Sequence, residues 1–170
     1  MNKKNLENNL SVVHEWIKSA DQKSSIWLAF QGVCLTIIIS STDFEKFVAY
    51  IKNINCFDII ILVLVVILCF YSLFKTIFSI LPTVSPTAKV NTGKESMIYF
   101  GSIIKHSLKK YKEQMAGYSD HDYQDDLLNQ IYISSVIANK KLKLFSESVT
   151  IFILSFIIIS IFFLLKIFSV

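Results

Sequence analysis

Residues 59–81 read IIILVLVVILCFYSLFKTIFSIL, an apolar run interrupted by a single charged side chain, Lys75. About 20 apolar residues in an α-helix cross the hydrocarbon core of a bilayer, so this stretch qualifies by itself. Residues 149–168, VTIFILSFIIISIFFLLKIF, qualify as well. Residues 26–40, IWLAFQGVCLTIIIS, reach the length once Ser24, Ser25 and Ser41 are counted in. A soluble chain of 170 residues has no core large enough to bury three such helices. The expected fold class is an all-α membrane protein with three transmembrane helices. The spans are placed at 24–41, 59–81 and 148–169, with an external loop at 42–58. A cytoplasmic helix at 1–23 and a cytoplasmic helical region at 82–147 form a bundle continuous with the first and third spans, the whole being a single domain over 1–170.

Composition agrees with that placement. Hydrophobic residues make up 53% of the chain and the mean hydropathy is +0.52, against about 45–50% apolar residues in soluble domains. The surplus lies in the three runs, whereas 1–23 and 82–147 have the make-up of solvated protein. All seventeen basic residues are lysines, so bidentate guanidinium clamps are absent. An anion would be held by Lys, helix N-termini or neutral donors. Cys34 and Cys69 fall in apolar runs and Cys56 in the loop between two of them, a distribution that does not make a disulfide framework. The polar stretch 1–23 carries Glu7, Glu15 and Asp21 and a helical period, which suits a retained signal-anchor helix rather than a cleaved signal peptide.

Short polybasic segments stay cytoplasmic, and acidic residues count for little in that rule. With three spans, 1–23 and 82–147 share a side and hold thirteen lysines. The other side has Lys46, Lys52 and, at a helix end, Lys166. The expected topology is N-terminus inside and C-terminus outside, with Lys75 snorkelling toward the cytoplasmic interface.

Leu6, Leu10, Val13, Ile17 and Ala20 line one face of a helix over 4–23 that flows into the first span. Trp16 and Trp27 bracket the headgroup layer. Pro82, Pro86 and Gly93 mark 82–93 as a linker. Thr92 and Glu95 have capping-box spacing, which predicts a helix from near Gly93 to a left-handed cap at Gly117. Its seam is Met97, Phe100, Ile104, Leu108, Tyr111 and Met115, a surface suited to oligomerisation. A second cap at Ser119–Asp122 opens one unbroken helix over 120–168, with Leu127, Ile131, Ser134, Ala138, Leu142, Phe145 and Val149 on its inner face.

Few residues invite chemistry. Gly93-Lys94 resembles part of a phosphate loop, but Ala88 and Glu95 stand where that pattern requires Gly and Ser or Thr, and no strand precedes. Asp120, His121, Asp122, Asp125 and Asp126, with His121 and Asp125 one turn apart, are open to divalent metals, although an N-terminal cap with acidic first turns accounts for them as well; no metal or other cofactor is expected. Asp21, Lys23 and Gln31 stand at or inside the first span, where polar groups need partners, and register from the membrane edge allows Asp21 to meet Lys143. The lysines of 105–112 and 140–143 face solvent or anionic lipid, or line a basic cavity for a small anion. No nucleophile–base or paired-carboxylate arrangement is present, so an enzyme is not expected.

Residues 15–24, EWIKSADQKS, followed by 28–32, LAFQG, resemble the A-D-x-K-(A/S)…F-Q-G pattern of the Pycsar transmembrane effector family. The sequel is similar too: Pro82 after the second span, Tyr99-Phe100-Gly101-Ser102-Ile103, Leu127-Leu128-Asn129-Gln130-Ile131-Tyr132, and the pair Lys140-Lys141 before the last span. Leu142 departs from the pattern, which has an aromatic after the lysines. The resemblance implies a bacterial antiphage effector that works with a separate uridylate or cytidylate cyclase. It implies a response to a cyclic pyrimidine mononucleotide, cCMP or cUMP, and impairment of the inner membrane; since three helices enclose no channel, a homo-oligomer is expected. Nucleic acid is not among the expected partners. The motif groups Asp21, Lys23, Tyr99, Gln130 and Lys141 are the expected nucleotide-binding residues. Read without the resemblance, the chain also fits a nucleotide-independent holin-like or toxin-like pore former, or an adaptor subunit of a membrane complex.

Overall fold

The computed structural model describes residues 3–41, 55–82 and 96–168. Every element among them is a helix: α1 Lys3–Ser41, α2 Cys56–Ile80, α3 Phe100–Ile103, α4 Leu108–Ala116 and α5 Asp120–Phe168. Most of the expected external loop and linker, the capping box at 92–95 and the C-terminal tip lie outside the described residues.

α5 runs unbroken for 49 residues, as expected from a stretch with no Gly or Pro. Ser119 caps it: its Oγ accepts from Asp122 N (3.1 Å) and donates to Asp122 Oδ2 (2.6 Å), which also accepts from Ser119 N (3.3 Å). Two orphan ends are thus satisfied reciprocally, in the manner of a capping box. α2 starts at Cys56, three residues ahead of the apolar run, after extended Asn55. It stops because Leu81 precedes Pro82, whose ring drives the residue before it out of the helical region; Leu81 has ψ of 142°.

The helix expected from Gly93 to Gly117 is not one helix. Residues 96–99 are irregular, α3 has four residues, and a break separates it from α4. At the first site the Asp126 carboxylate captures the N–H groups of Met97 and Ile98, and Ser96 Oγ those of Ile98 and Tyr99. At the second, Lys105 and His106 donate to carbonyls three residues back. Extended Ser107 then caps a new helix by accepting from Lys110 N. The single seam is lost with it, since Met97 is buried while Ile104 and Leu108 are 77% and 69% exposed. Gly117 ends α4 at φ −97°, ψ 6°, not in the left-handed region expected.

The chain divides into two compact units. Met1–Ser19 and Pro82–Lys140 form a polar unit; Ala20–Leu81 and Lys141–Val170 form an apolar one. The polar unit has an ordinary core of Leu6, Val13, Met97, Leu127 and Ala138. In the apolar unit the distribution is inverted. Ser24, Gln31, Ser72, Thr76, Ser79, Lys141, Ser148 and Ser155 are buried, whereas Phe30, Val63, Ile67, Phe74, Ile157 and Leu164 are exposed. Polar groups turned inward and large apolar groups outward suit a lipid solvent, where helices associate through small residues and interhelical hydrogen bonds. Among the described residues, two helical stretches, Cys56–Ile80 and Asp120–Leu165, are long and apolar enough to cross a membrane.

Candidate functional site

Lys141 is the most constrained cation among the described residues. Its side chain is 5% exposed. The ammonium donates to Asp21 Oδ1 at 2.5 Å, Ser79 O at 2.9 Å and Ile80 O at 3.3 Å. A lysine has three donors, and all three are used. Ser79 and Ile80 are the last residues of α2, so Lys141 satisfies helix-end carbonyls that have no intrahelical partner. Ser79 Oγ returns a bond to Lys141 O (3.1 Å) and shares another with Ser24 Oγ (2.8 Å). One ammonium therefore joins α1, the end of α2 and α5.

Beyond this knot, a hydroxyl and amide network continues through the apolar unit. Gln31 Nε2 donates to Ser72 Oγ (2.7 Å), and Thr76 Oγ1 donates to Gln31 Oε1 (3.1 Å). Thr76 and Ser72 both meet Ser148 Oγ, at 2.6 and 3.1 Å, and Trp27 Nε1 donates to it at 3.2 Å. Trp27 packs edge-on against Phe152. Lys75 is bonded to Glu147 at 2.8 Å, with its ammonium 5.3 Å from the centroid of Tyr71. With water excluded, such groups must satisfy each other.

In the polar unit, Asp126 plays the organising part. Its Oδ2 accepts from Ser96 Oγ (2.9 Å), Met97 N (2.9 Å), Ile98 N (3.2 Å) and Tyr118 Oη (2.9 Å). Burial, together with the Asp126 carboxylate it donates to, pushes the Tyr118 phenol well above its ordinary pKa. Gln130 Nε2 donates to Ser96 Oγ at 3.3 Å, and Tyr111 Oη donates to Met97 O at 3.3 Å. The segment 96–99 is thus fixed as a wall. It borders a groove of about 390 Å³ lined by Glu7, Leu10, Ser11, His14, Glu15, Lys18, Ile98, Tyr123 and Leu127. Tyr123 Oη donates to Glu7 Oε1 (3.1 Å), Lys3 Nζ lies 4.3 Å from the Tyr123 ring centroid, and Ser134 Oγ is 3.5 Å from His14 Nε2. Burial, and secondly the bond to Glu7, raise the Tyr123 pKa.

The five expected nucleotide-binding residues are divided between the units. Asp21 and Lys141 are brought together in the apolar unit, where Lys23 is exposed. Tyr99 and Gln130 belong to the polar unit and converge on Ser96, Tyr99 through its backbone N–H. None of the five lines the groove. Asp21 meets Lys141 and not Lys143, because Lys141 shares the buried face with Ser134, Ala138 and Ser148 while Lys143 is exposed. The same rotation replaces Leu142, expected inside, with Lys141; Leu142 is 38% exposed. His121 Nδ1 is 3.2 Å from Asp125 Oδ2, both largely exposed. The hydroxyl network was missed apart from Gln31, although Ser72, Thr76 and Ser79 stand at i, i+4 and i+7, the spacing of one helical face.

Two comparisons bear on identity, and no solved structure matches the chain. The chain is 26% identical over 167 residues to the Pycsar effector protein GmPycTM of Gulbenkiania mobilis, covering 88% of this chain and 85% of that protein. The family description "PycTM: Pycsar effector protein domain" matches residues 5–166, which takes in nearly all of α1, all of α2, α3 and α4, and nearly all of α5. An inverted apolar unit and a family match of that extent lead to one conclusion: this chain is a membrane protein belonging to the Pycsar effector family, with the antiphage effector role that membership carries.

Proposed function

We propose that the protein is a non-enzymatic effector of the bacterial inner membrane that responds to a cyclic pyrimidine mononucleotide, cCMP or cUMP. A partner cyclase makes the signal during phage infection, and the effector impairs membrane integrity and aborts the infection. It spans the membrane three times, at 24–41, 59–81 and 148–169, with the N-terminus cytoplasmic and the C-terminus external. Three helices enclose no channel, so damage requires a homo-oligomer.

The observation that best supports this reading is the inverted apolar unit. Its helices are joined by hydrogen bonds around buried Ser72, Thr76, Ser148 and Lys141 and by two ion pairs, Asp21–Lys141 and Lys75–Glu147. In the bacteriorhodopsin series such interhelical bonds average about 0.6 kcal/mol each, so the arrangement can be exchanged for another at modest cost. A ligand acts only by binding one arrangement better than another. α1 and α5 each supply residues to both units, so a preference created in the polar unit is carried along continuous backbone. Of the five residues expected at the ligand site, we assign Tyr99 and Gln130 to positioning the 96–99 wall. Asp21 and Lys141 brace the spans, and Lys23 adds exposed positive charge suited to an anionic lipid surface.

Calorimetric titration of the detergent-solubilised chain with cCMP, cUMP, cAMP and cGMP tests the reading. Saturable binding of a cyclic pyrimidine, with the purines at least about tenfold weaker, equivalent to about 1.4 kcal/mol, is expected. Binding of none of the four would leave the nucleotide-independent pore former or the adaptor. Those two differ in whether expression alone depolarises cells.

A further inference from the structure

The groove in the polar unit brings apolar, aromatic and polar side chains together. Leu10, Ile98 and Leu127 give it an apolar floor, Tyr123 an aromatic wall, and Ser11, His14, Glu7, Glu15 and Lys18 converging polar groups. Small-ligand sites run from about 300 to 1,000 Å³ and are mostly apolar with a few polar groups; this groove falls in that size range but is more polar, with Glu7, Ser11, His14, Glu15 and Lys18 exposed along it. At about 390 Å³, this one is sized for a mononucleotide rather than a dinucleotide.

We propose that this groove is the receptor site for the cyclic mononucleotide, an assignment that rests on the nucleotide response proposed above. Lys18 is the cation for the cyclic phosphate, a point charge, as expected of a chain without arginine. The base lies against Tyr123 and the Leu10, Ile98 and Leu127 side chains. Glu7 and Glu15 accept from the ribose hydroxyl and a base N–H, since ionised carboxylates only accept. His14 and Ser11 complete the polar rim.

The charge balance also selects. Lys18, with the Lys3 ammonium 4.3 Å from the Tyr123 ring centroid, balances Glu7 and Glu15, which tolerates a phosphodiester with a single negative charge. The second charge of a linear nucleoside monophosphate meets Glu7 and Glu15. The site therefore distinguishes cyclic from linear nucleotide by electrostatics, beyond any choice of base. Its wall is held by Asp126, Ser96 and Gln130, which act on the ligand only by positioning Ile98.

The test uses the full detergent-solubilised chain with cUMP, cCMP and UMP as titrants. Ser11 and Lys18 are exposed, so Ser11→Trp and Lys18→Glu fill or reverse the groove without touching the core, and helical content by circular dichroism should equal wild type. Both should weaken the cyclic pyrimidine at least about tenfold, the loss of one charge-assisted bond or more. Lys109→Glu, an equal charge change at an exposed site on α4, should leave affinity within twofold, and UMP should bind wild type at least about tenfold more weakly. In a chain with Cys34, Cys56 and Cys69 replaced by alanine, Ser11→Cys should react with a maleimide more slowly when the cyclic nucleotide is present. Wild-type binding with unchanged affinity in both groove variants, or unchanged labelling, overturns the groove and leaves the nucleotide response standing. No binding by the wild type overturns both.

Discussion

The ammonium of Lys141 lies 2.5 Å from Asp21 Oδ1, and the two residues differ sharply in burial: the Lys141 side chain is 5% exposed and that of Asp21 38%. The pair sits where α1 and α5 run side by side and α2 ends, so its two halves do different work. Removing Asp21 leaves a buried ammonium held only by two carbonyls. Removing Lys141 leaves a carboxylate that water can reach and two helix-end carbonyls without their donor. Asp21→Ala should therefore destabilise at least as much as Lys141→Ala. Breaking a fully buried pair from one side costs about 3–5 kcal/mol, and the exposure of Asp21 lowers the expectation to about 2 kcal/mol or more. Thermal unfolding in detergent of the two single variants and the double variant checks the order. The double variant should be less destabilised than the sum of the singles, because it leaves no unpaired charge.

Ser72 occupies the centre of the hydroxyl network, meeting Gln31 Nε2, Ser148 O and Ser148 Oγ. Ser72→Ala should cost between about 0.6 and 1.7 kcal/mol, the average and the maximum measured for interhelical bonds in the bacteriorhodopsin series. Gln31→Leu should cost more than Ser72→Ala. Its amide bridges Ser72 and Thr76, and an isobutyl group leaves both hydroxyls facing carbon. Equal stability for Gln31→Leu and wild type in a detergent unfolding series would show the amide to be dispensable to the packing.

Tyr118 gives the polar unit a defined alkaline limit. Its folded pKa is raised by burial and by Asp126, whereas an unfolded tyrosine ionises near about 10. The folded state keeps a proton the unfolded state gives up. Stability is therefore fully present below about pH 10 and is lost as pH rises above it toward the raised folded value. Tyr123 adds in the same direction, through burial and Glu7. Tyr118→Phe should be less stable at neutral pH by about 1 kcal/mol, the usual value of one hydrogen bond, and should show a flatter profile from pH 9 to 12. Circular dichroism during chemical unfolding at each pH reads both effects.

How far the chain could be read in advance depended on whether a signal was local. The unbroken α5 was legible because nothing between Asp120 and Phe168 breaks a helix, and Ser119 with Asp122 marks its start. The irregular stretch 96–99 ahead of α3 was not, because the group that pulls Met97 and Ile98 out of helix is Asp126, nearly thirty residues further on. Register counted from the membrane edge sets Asp21 opposite Lys143, two positions from Lys141, its partner. Helical phase decides it, and the inward face holds Ser134, Ala138, Lys141 and Ser148. Lys141 entered that face against its hydropathy because three acceptors await it there. The groove was illegible for a related reason: Ile98 joins Glu7, His14 and Lys18 only because Asp126 and Ser96 fix the irregular wall.

The central claim about the protein is nucleotide-gated damage to a bilayer. The direct measurement is release of a trapped dye from liposomes carrying the purified protein, with nucleotide supplied on both sides. The account predicts tight vesicles without nucleotide, prompt release with cCMP or cUMP, and none with cAMP or cGMP. Equal release with and without nucleotide, or no release with any of the four, would contradict it.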